Sequence, residues 1–438
     1  VYLRAPDLER QRSLVLFRWL LLIPHLVFLV LWAFPIVLGL PVLWVAALSR
    51  GTVPDGLHRF YGAYVRYYAS VWGYGAFVSD VFPQFDGRPG YAIDIEIPPP
   101  QPQSRWSILF RLVLALPPLL LAAALVRGGF SPGDASSTSG DGSSANTAIS
   151  VGGGVLLCVA ILGWFACMAR SRMPQGLRDL AVYCIGYGAQ AYGYLFLLTP
   201  RYPNAVPAVA RPLPQPAHPV RATLDDDGQR TRLTVLLRIL LFLPHLVWLV
   251  LWGIVAGLAV IASWFATLVA GRTPLPLHRF LAAYVRYAAH VNAFVHLVAN
   301  PFPGFVGAAD RYPFAVRVDP PEPQNRWVTA FRLVLAVPAL LLAGALSSAL
   351  TLAAIGSWAF ALIMGRVPRG LRDLDAFVLR YLAQVWAYVL LLTDRYPYGG
   401  PTLATAPAPR PAMDGPPPPW EPTGDWLPPA PPASAPAP

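Results

Sequence analysis

The chain contains no lysine. All 33 basic side chains among its 438 residues are arginines, set against 22 acidic ones, for a net charge of +11. Charged residues make up only 13% of the chain, about half the roughly 25% of an ordinary soluble domain. So little charge, with a mean hydropathy of +0.49, excludes a freely soluble chain and points to a membrane protein. In that setting the positive balance orients segments and meets anionic headgroups. No basic strand interleaved with aromatics is present, so nucleic acid is not an expected partner. Cysteine is equally scarce. Cys158, Cys167 and Cys184 form an odd set without Cys-x-x-Cys spacing, which excludes a disulfide framework or a cysteine metal knuckle. Also missing are Gly-x-Ser-x-Gly, a phosphate loop, His-Glu-x-x-His and a dinucleotide fingerprint. Asp80, Asp179, Asp373, Asp375 and Asp394 are scattered and do not pair as acid and base. No enzyme, metal or cofactor is therefore expected.

What the chain does have is long apolar runs, and they repeat. LFRWLLLIPHLVFLVLW at 16–32 recurs as LLRILLFLPHLVWLVLW at 236–252, and GLHRFYGAYVRYYASVWGYG at 56–75 recurs as PLHRFLAAYVRYAAHVNAFV at 276–295. Pro24 and Pro244, His25 and His245, Trp44 and Trp264, His58 and His278, and Arg66 and Arg286 are each 220 apart by subtraction. Weaker copies begin SRWSILFRLVLALPPLLL at 104 and NRWVTAFRLVLAVPALLL at 325. Four versions of one unit make up the chain.

A span needs about 20 apolar residues, and the first run, about Leu14 to Leu48, is long enough for two short ones. Pro35, Gly39 and Pro41 near its middle predict a hairpin turn; the third unit is expected to bend near Gly253 and Gly257. The run reads as an uncleaved signal anchor, since no cleavable signal precedes it. The helix at 57–80 differs in character. Arg59, Gly62, Arg66, Ala69, Ser70 and Gly73 form a narrow polar or small stripe at helical spacing, and the remainder is rich in Tyr and Trp, which favour the membrane interface. The expected fold is an all-α integral membrane protein of four two-span hairpin units, about eight transmembrane helices. Each hairpin is followed by an interfacial amphipathic helix. Segments 91–104, 218–227 and 312–324 read as short cytoplasmic β-strands, with pairing between them. The eight-span arrangement places nearly all arginines on one side, as the positive-inside rule asks; twelve spans would divide them.

The expected boundaries are 1–90 for unit 1, 91–205 for unit 2, 206–217 for a Pro/Ala linker, 218–310 for unit 3 and 311–400 for unit 4. A Pro-rich tail, 401–438, follows, expected to be disordered with polyproline II character. Unit 2 carries a Gly/Ser-rich insertion at 127–154, expected to be a flexible outer loop. Pro117 to Pro338 is 221 but Gly176 to Gly370 is 194, so the insertion adds 27 residues.

Arg232, Leu236, Leu237, Arg238, Pro244 and His245, then Trp264, Phe265 and Ala266, with Gly365, Arg366, Pro368, Gly370, Leu371 and Leu391 to Pro397, resemble the motif of a bacterial membrane family, domain of unknown function 4389. Leu237 departs from the family phenylalanine that Phe17, Phe110 and Phe331 keep. The resemblance runs over repeated copies from about residue 10 to 398. It implies an architecture and a bacterial membrane, and no activity.

Two residue sets are candidates. His25 and His245, each seven residues beyond Arg18 and Arg238, form an intramembrane polar site of the kind that marks ion or solute pathways. Against that reading, units 2 and 4 hold Pro118 and Ala339 there, and a histidine beside a proline can bond a backbone carbonyl freed by the kink. Arg66, Arg286 and Arg380, replaced by Gly186 in unit 2, are candidate lipid-headgroup contacts. The preferred function is a non-enzymatic membrane scaffold or lipid-associated protein in the bacterial cell membrane, both termini cytoplasmic. The alternative is a small-solute or ion transporter or channel. Membrane lipids are the expected partners, and the Pro-rich tail is a segment a protein partner could dock; a solvated tail is the simpler reading.

Overall fold

The computed structural model describes residues 2–3, 8–126, 154–207, 218–309 and 311–402. Most of the insertion at 127–154, of the linker at 206–217 and of the tail at 401–438 lies outside the described residues. The remainder belongs to one compact unit, Val1–Ala404.

The chain is mostly helical. Unit 1 consists of α1 (Arg12–Arg50) and α2 (Asp55–Gly75), followed by an extended segment. Unit 2 has the short α3 (Arg105–Leu109), α4 (Arg111–Val126), α5 (Val155–Arg170) and α6 (Gln175–Leu195). Unit 3 has α7 (Arg232–Ala270) and α8 (Leu275–Val295). Unit 4 has the short α9 (Arg326–Ala330), α10 (Arg332–Met364) and α11 (Arg369–Val389). Among the described residues three helices, α1, α7 and α10, are long and apolar enough to cross a membrane.

The hairpin turn expected inside the apolar runs of units 1, 3 and 4 is not there; only in unit 2 is the run divided, into α4 and α5. α1 continues through Pro24, Pro35 and Pro41 to Arg50, and α7 through Gly253 and Gly257. Each proline removes one intrahelical donor, but an unwound turn would strand several backbone groups in apolar surroundings, which is worse. The count of eight spans therefore gives way to three long apolar helices and the two shorter ones, α4 and α5.

The real turn comes at the end of each run. Gly51, Gly271 and Gly365 adopt left-handed φ values of 73°, 71° and 71°, and their amides bond to Ala47, Thr267 and Ala361. This is the left-handed C-cap that glycine makes without strain; Ser171 does the same at φ 53° in unit 2. Pro54, Pro174, Pro274 and Pro368 then occupy the N-cap of the next helix. Each aromatic helix folds back antiparallel along its apolar partner: Tyr61 donates to the Ile36 carbonyl at 2.9 Å, while Gly75 sits against Leu22.

The helices stack in layers. In the first layer α1, α5, α10 and α7 touch in that order, with α4 also beside α10. In the second, α2 packs on α6 and α8 on α11, each also covering its own unit's apolar helix. Strands form a third. β3 (Val220–Leu224) pairs antiparallel with β4 (Phe314–Val318), Ala222 opposite Val316, and the pair rests on α8 and α11. β2 (Ile93–Asp94) rests on α2 and pairs with β1 (Tyr2–Leu3), not with the other expected strands. Alternation holds in β3 and β4, whose Val220, Ala222, Phe314 and Val316 are buried under exposed Arg221 and Arg317. Among the described residues nothing covers the outer face of the first layer: Leu20, Leu38, Val45, Val113, Phe165, Leu258, Val269, Leu333 and Ile363 are all exposed.

Candidate functional site

Four buried arginines mark the start of the apolar helices, one per unit. Arg238 Nη1 donates to the carbonyls of Phe294 at 2.6 Å and Ala299 at 3.3 Å, and its guanidinium lies 4.3 Å from the Phe294 ring centre. Arg332 repeats this on Tyr388 (2.6 Å) and Thr393 (2.7 Å), with Gln324 Oε1 accepting at 2.8 Å. Arg18 donates to the Tyr74 carbonyl at 3.3 Å and pairs with Asp80. Arg111 bonds Gln103 and stacks 4.0 Å over Tyr194. In units 1, 3 and 4 the cation meets the last carbonyls of the aromatic helix, where the helix dipole is negative. These arginines are locks between the two helices of a unit. The spacing of the repeats exposed their recurrence but not their partners, which apart from Gln103 and Gln324 lie 56 or more residues downstream.

His25 and His245 are fully buried. His25 Nδ1 bonds the Tyr67 hydroxyl at 2.8 Å, and His245 Nδ1 that of Tyr287 at 2.7 Å. Phe82 and Phe85 close on the first ring at 4.5 and 4.3 Å, Phe302 and Phe305 on the second at 4.5 and 4.6 Å. Each pair stays within its own unit, and a tyrosine hydroxyl takes the place of the kink carbonyl. Among the described residues no group of three or more His, Cys, Asp or Glu is placed to hold a metal ion. Cys158, Cys167 and Cys184 are free thiols, the first half-buried and the other two buried.

The Arg66, Arg286 and Arg380 set divides. All three bond the backbone of the segment that follows their helix: Arg66 Nε to Ile95 at 3.3 Å, Arg286 Nε to Gly307 at 3.0 Å, and Arg380 Nη2 to Tyr398 and Gly400 at 3.1 and 2.7 Å. Arg380 is only 6% exposed and burial lowers it to about 10. It is therefore not a headgroup contact, because its charge is spent on two carbonyls inside the protein. Arg66 differs. It is half-buried and lines a cleft of about 600 Å³ with Asp55, His58, Arg59 and Gly62, roofed by Ile97 and Pro98 to Pro100.

The sequence offers Asp375 only as one of several scattered aspartates. In α11 it is wholly buried, and neither carboxyl oxygen has a hydrogen-bond partner among the described residues. Burial pushes its pKa well above the ordinary 3.8, because an apolar surround disfavours the charged carboxylate. Arg178 and Asp179 form a separate buried pair at 2.6 Å. No spacing rule flags a lone aspartate on a helix.

The layers and the arginine locks define a helical repeat protein with an exposed apolar layer. The chain belongs to the family described as Domain of unknown function (DUF4389), whose model matches residues 12–86, 232–306 and 326–400. Unit 2, with its divided apolar helix and Gly186, falls outside the matched segments. No curated protein and no solved structure matches the chain.

Proposed function

We propose that the protein is a non-enzymatic membrane scaffold that works by holding lipid, in a bacterial cell membrane. One observation carries this reading: the outer face of α1, α4, α5, α7 and α10 is lined with exposed apolar side chains and is covered by none of the described residues. Exposed apolar area of that extent is costly in water and favourable in lipid. Membrane lipids are its partners, and Arg66, in its open cleft with Arg59, is the arginine placed to meet an anionic headgroup. The Pro-rich tail, 401–438, is offered to a protein partner. An eight-span arrangement would need breaks in the middle of α1, α7 and α10, which run unbroken. The transporter reading draws on His25 and His245, but tyrosine and phenylalanine rings close both off. Flotation of the full chain with vesicles of mixed zwitterionic and anionic lipid tests the proposal. Co-flotation that survives high salt is expected; a protein left at the bottom of the gradient without detergent would overturn it.

A further inference from the structure

Four observations concern the direction in which the apolar layer meets lipid. The first is length. At about 1.5 Å per residue, the 39 residues of α1 or α7 reach about 58 Å, nearly twice the roughly 30 Å hydrocarbon core. A tilt of about 60° would be needed to fit such a rod, outside the range of about 0–40° seen for spanning helices.

The second is charge. α1 begins at Arg12 and Arg18 and ends at Arg50; α7 begins at Arg232 and Arg238 and is followed by Arg272; α10 begins at Arg332 and is followed by Arg366. Each rod is basic at both ends, and arginine-rich flanks stay on one side of a membrane. A straight helix with both ends on one side has not crossed.

The third is the backbone beside it. The stripe of Gly62, Arg66 and Gly73 faces away from α1, and an extended segment runs along it for nearly the whole helix. Ile93 sits on Gly73, the Ile95 carbonyl on Arg66, Ile97 on Gly62, and the Gln103 amide bonds the Gly51 carbonyl at 2.9 Å. That segment carries the exposed Glu96 and three consecutive prolines. Over α8 and α11 the same place is taken by β3 and β4, with their exposed Arg221–Asp319 pair at 2.6 Å. Were α1 and α2 perpendicular to the bilayer, this irregular, charged backbone would lie at hydrocarbon depth, where lipid-exposed irregular chain does not occur.

The fourth is the insertion. Arg111 and Arg332 are 221 apart, which sets Val126 against Ser347; Gly176 and Gly370 are 194 apart, which sets Val155 against Ala349. A Ser/Gly/Asp-rich sequence of 28 residues at 127–154 therefore enters at the centre of the α10-type helix. In a spanning helix that is the middle of the bilayer.

We propose that the apolar layer lies parallel to the membrane, sunk into a single anionic leaflet, so that the protein is monotopic. The aromatic helices then sit at headgroup depth and the strand layer in water. The geometry accounts for all four observations: rod length is unconstrained, both ends meet headgroups, extended backbone faces water throughout, and the insertion leaves from the leaflet surface. Trp106 and Trp327, 71% and 74% exposed at the starts of α3 and α9, fall at the interface that tryptophan favours. The inference rests on the membrane reading above and adds the orientation.

Depth measurement separates the two. Cys158, Cys167 and Cys184 are replaced by serine in the full chain, and single nitroxide labels are placed at Leu20, Val30, Leu38 and Val45, exposed positions along α1. In vesicles containing anionic lipid, collision with oxygen and with a water-soluble nickel chelate is read at each. The expected result is the same depth at all four. Depth that rises to the bilayer centre at Val30 and Leu38 and falls again would overturn the in-plane arrangement while leaving the scaffold reading intact. Full exposure of all four labels to the aqueous chelate would sink both. Oriented circular dichroism of the unmodified protein in aligned bilayers needs no variant: helices parallel to the plane are expected, and helices along the normal would overturn the proposal.

Discussion

Arg238 and Phe294 lie 56 residues apart, yet the Arg238 guanidinium donates to the Phe294 carbonyl at 2.6 Å and covers its ring at 4.3 Å. One side chain thus closes the C-terminal end of α8 and fixes its register on α7. Arg332 holds Tyr388 in the same way.

Replacing Arg238 with methionine keeps the volume and removes the donors, leaving the Phe294 and Ala299 carbonyls without that partner. Buried unsatisfied groups cost about 1–3 kcal/mol each, so a loss of about 2–4 kcal/mol is expected. Arg238→Lys recovers only part, since an ammonium cannot reach as a planar fork. Thermal unfolding in lipid nanodiscs reads both.

Tyr287→Phe removes the hydroxyl that bonds His245 at 2.7 Å and leaves a buried ring nitrogen unpaired, a loss of about 1–3 kcal/mol. The double variant His245→Phe with Tyr287→Phe is expected to lose less than the sum of the single ones. A double-mutant cycle of unfolding free energies measures the coupling.

Gly307 has a φ of 61°, and a Cβ there would stand 2.1 Å from the Ala283 carbonyl oxygen. Gly307→Ala is expected to lift the segment off α8 and destabilise by about 1–3 kcal/mol. Gly304→Ala, where a Cβ meets nothing within 4 Å, is expected to be near neutral. Proteolysis of the 300–312 segment distinguishes them.

Asp375 carries a pH signature. Its folded pKa is raised above 3.8 by burial, so between that value and its folded pKa the folded state binds more protons than the unfolded one. Stability contributed through this group therefore falls as pH rises across that window. Asp375→Leu, the residue unit 3 has at Leu281, is expected to stabilise by about 1–3 kcal/mol near neutral pH, with a gap to the parent that shrinks toward about pH 4. Melting curves across that range are the check.

Arg66→Gln and Arg380→Gln should part company. The first is expected to weaken binding to anionic vesicles with melting little changed. The second loses bonds to the Tyr398 and Gly400 carbonyls and is expected to lower melting. Flotation at several anionic-lipid fractions, beside a thermal melt, tells the roles apart.

Much of this was legible in the residues. The repeat spacing marked Arg18, His25 and Arg66 with their counterparts, and the alternation in 218–227 and 312–324 marked two strands that do pair. The narrow stripe of Gly62, Arg66 and Gly73 was visible too, although its partner is an extended segment of the same chain. Proline misled because Pro35 and Pro41 read locally as breakers, whereas an apolar surround penalises an open turn more than a lost donor. Arg380 and Asp375 could not be sorted from their spacing, since burial is decided by which unit packs against them.

The orientation of the apolar layer is open to one direct measurement. In the chain without native cysteines, Glu96→Cys on the strand layer and Ser137→Cys in the insertion are treated with an impermeant maleimide, in intact cells and after lysis. A layer lying in one leaflet predicts that both behave alike, labelled together in intact cells or protected together until lysis. One labelled and the other protected would place them on opposite sides, and the apolar layer would then cross the membrane.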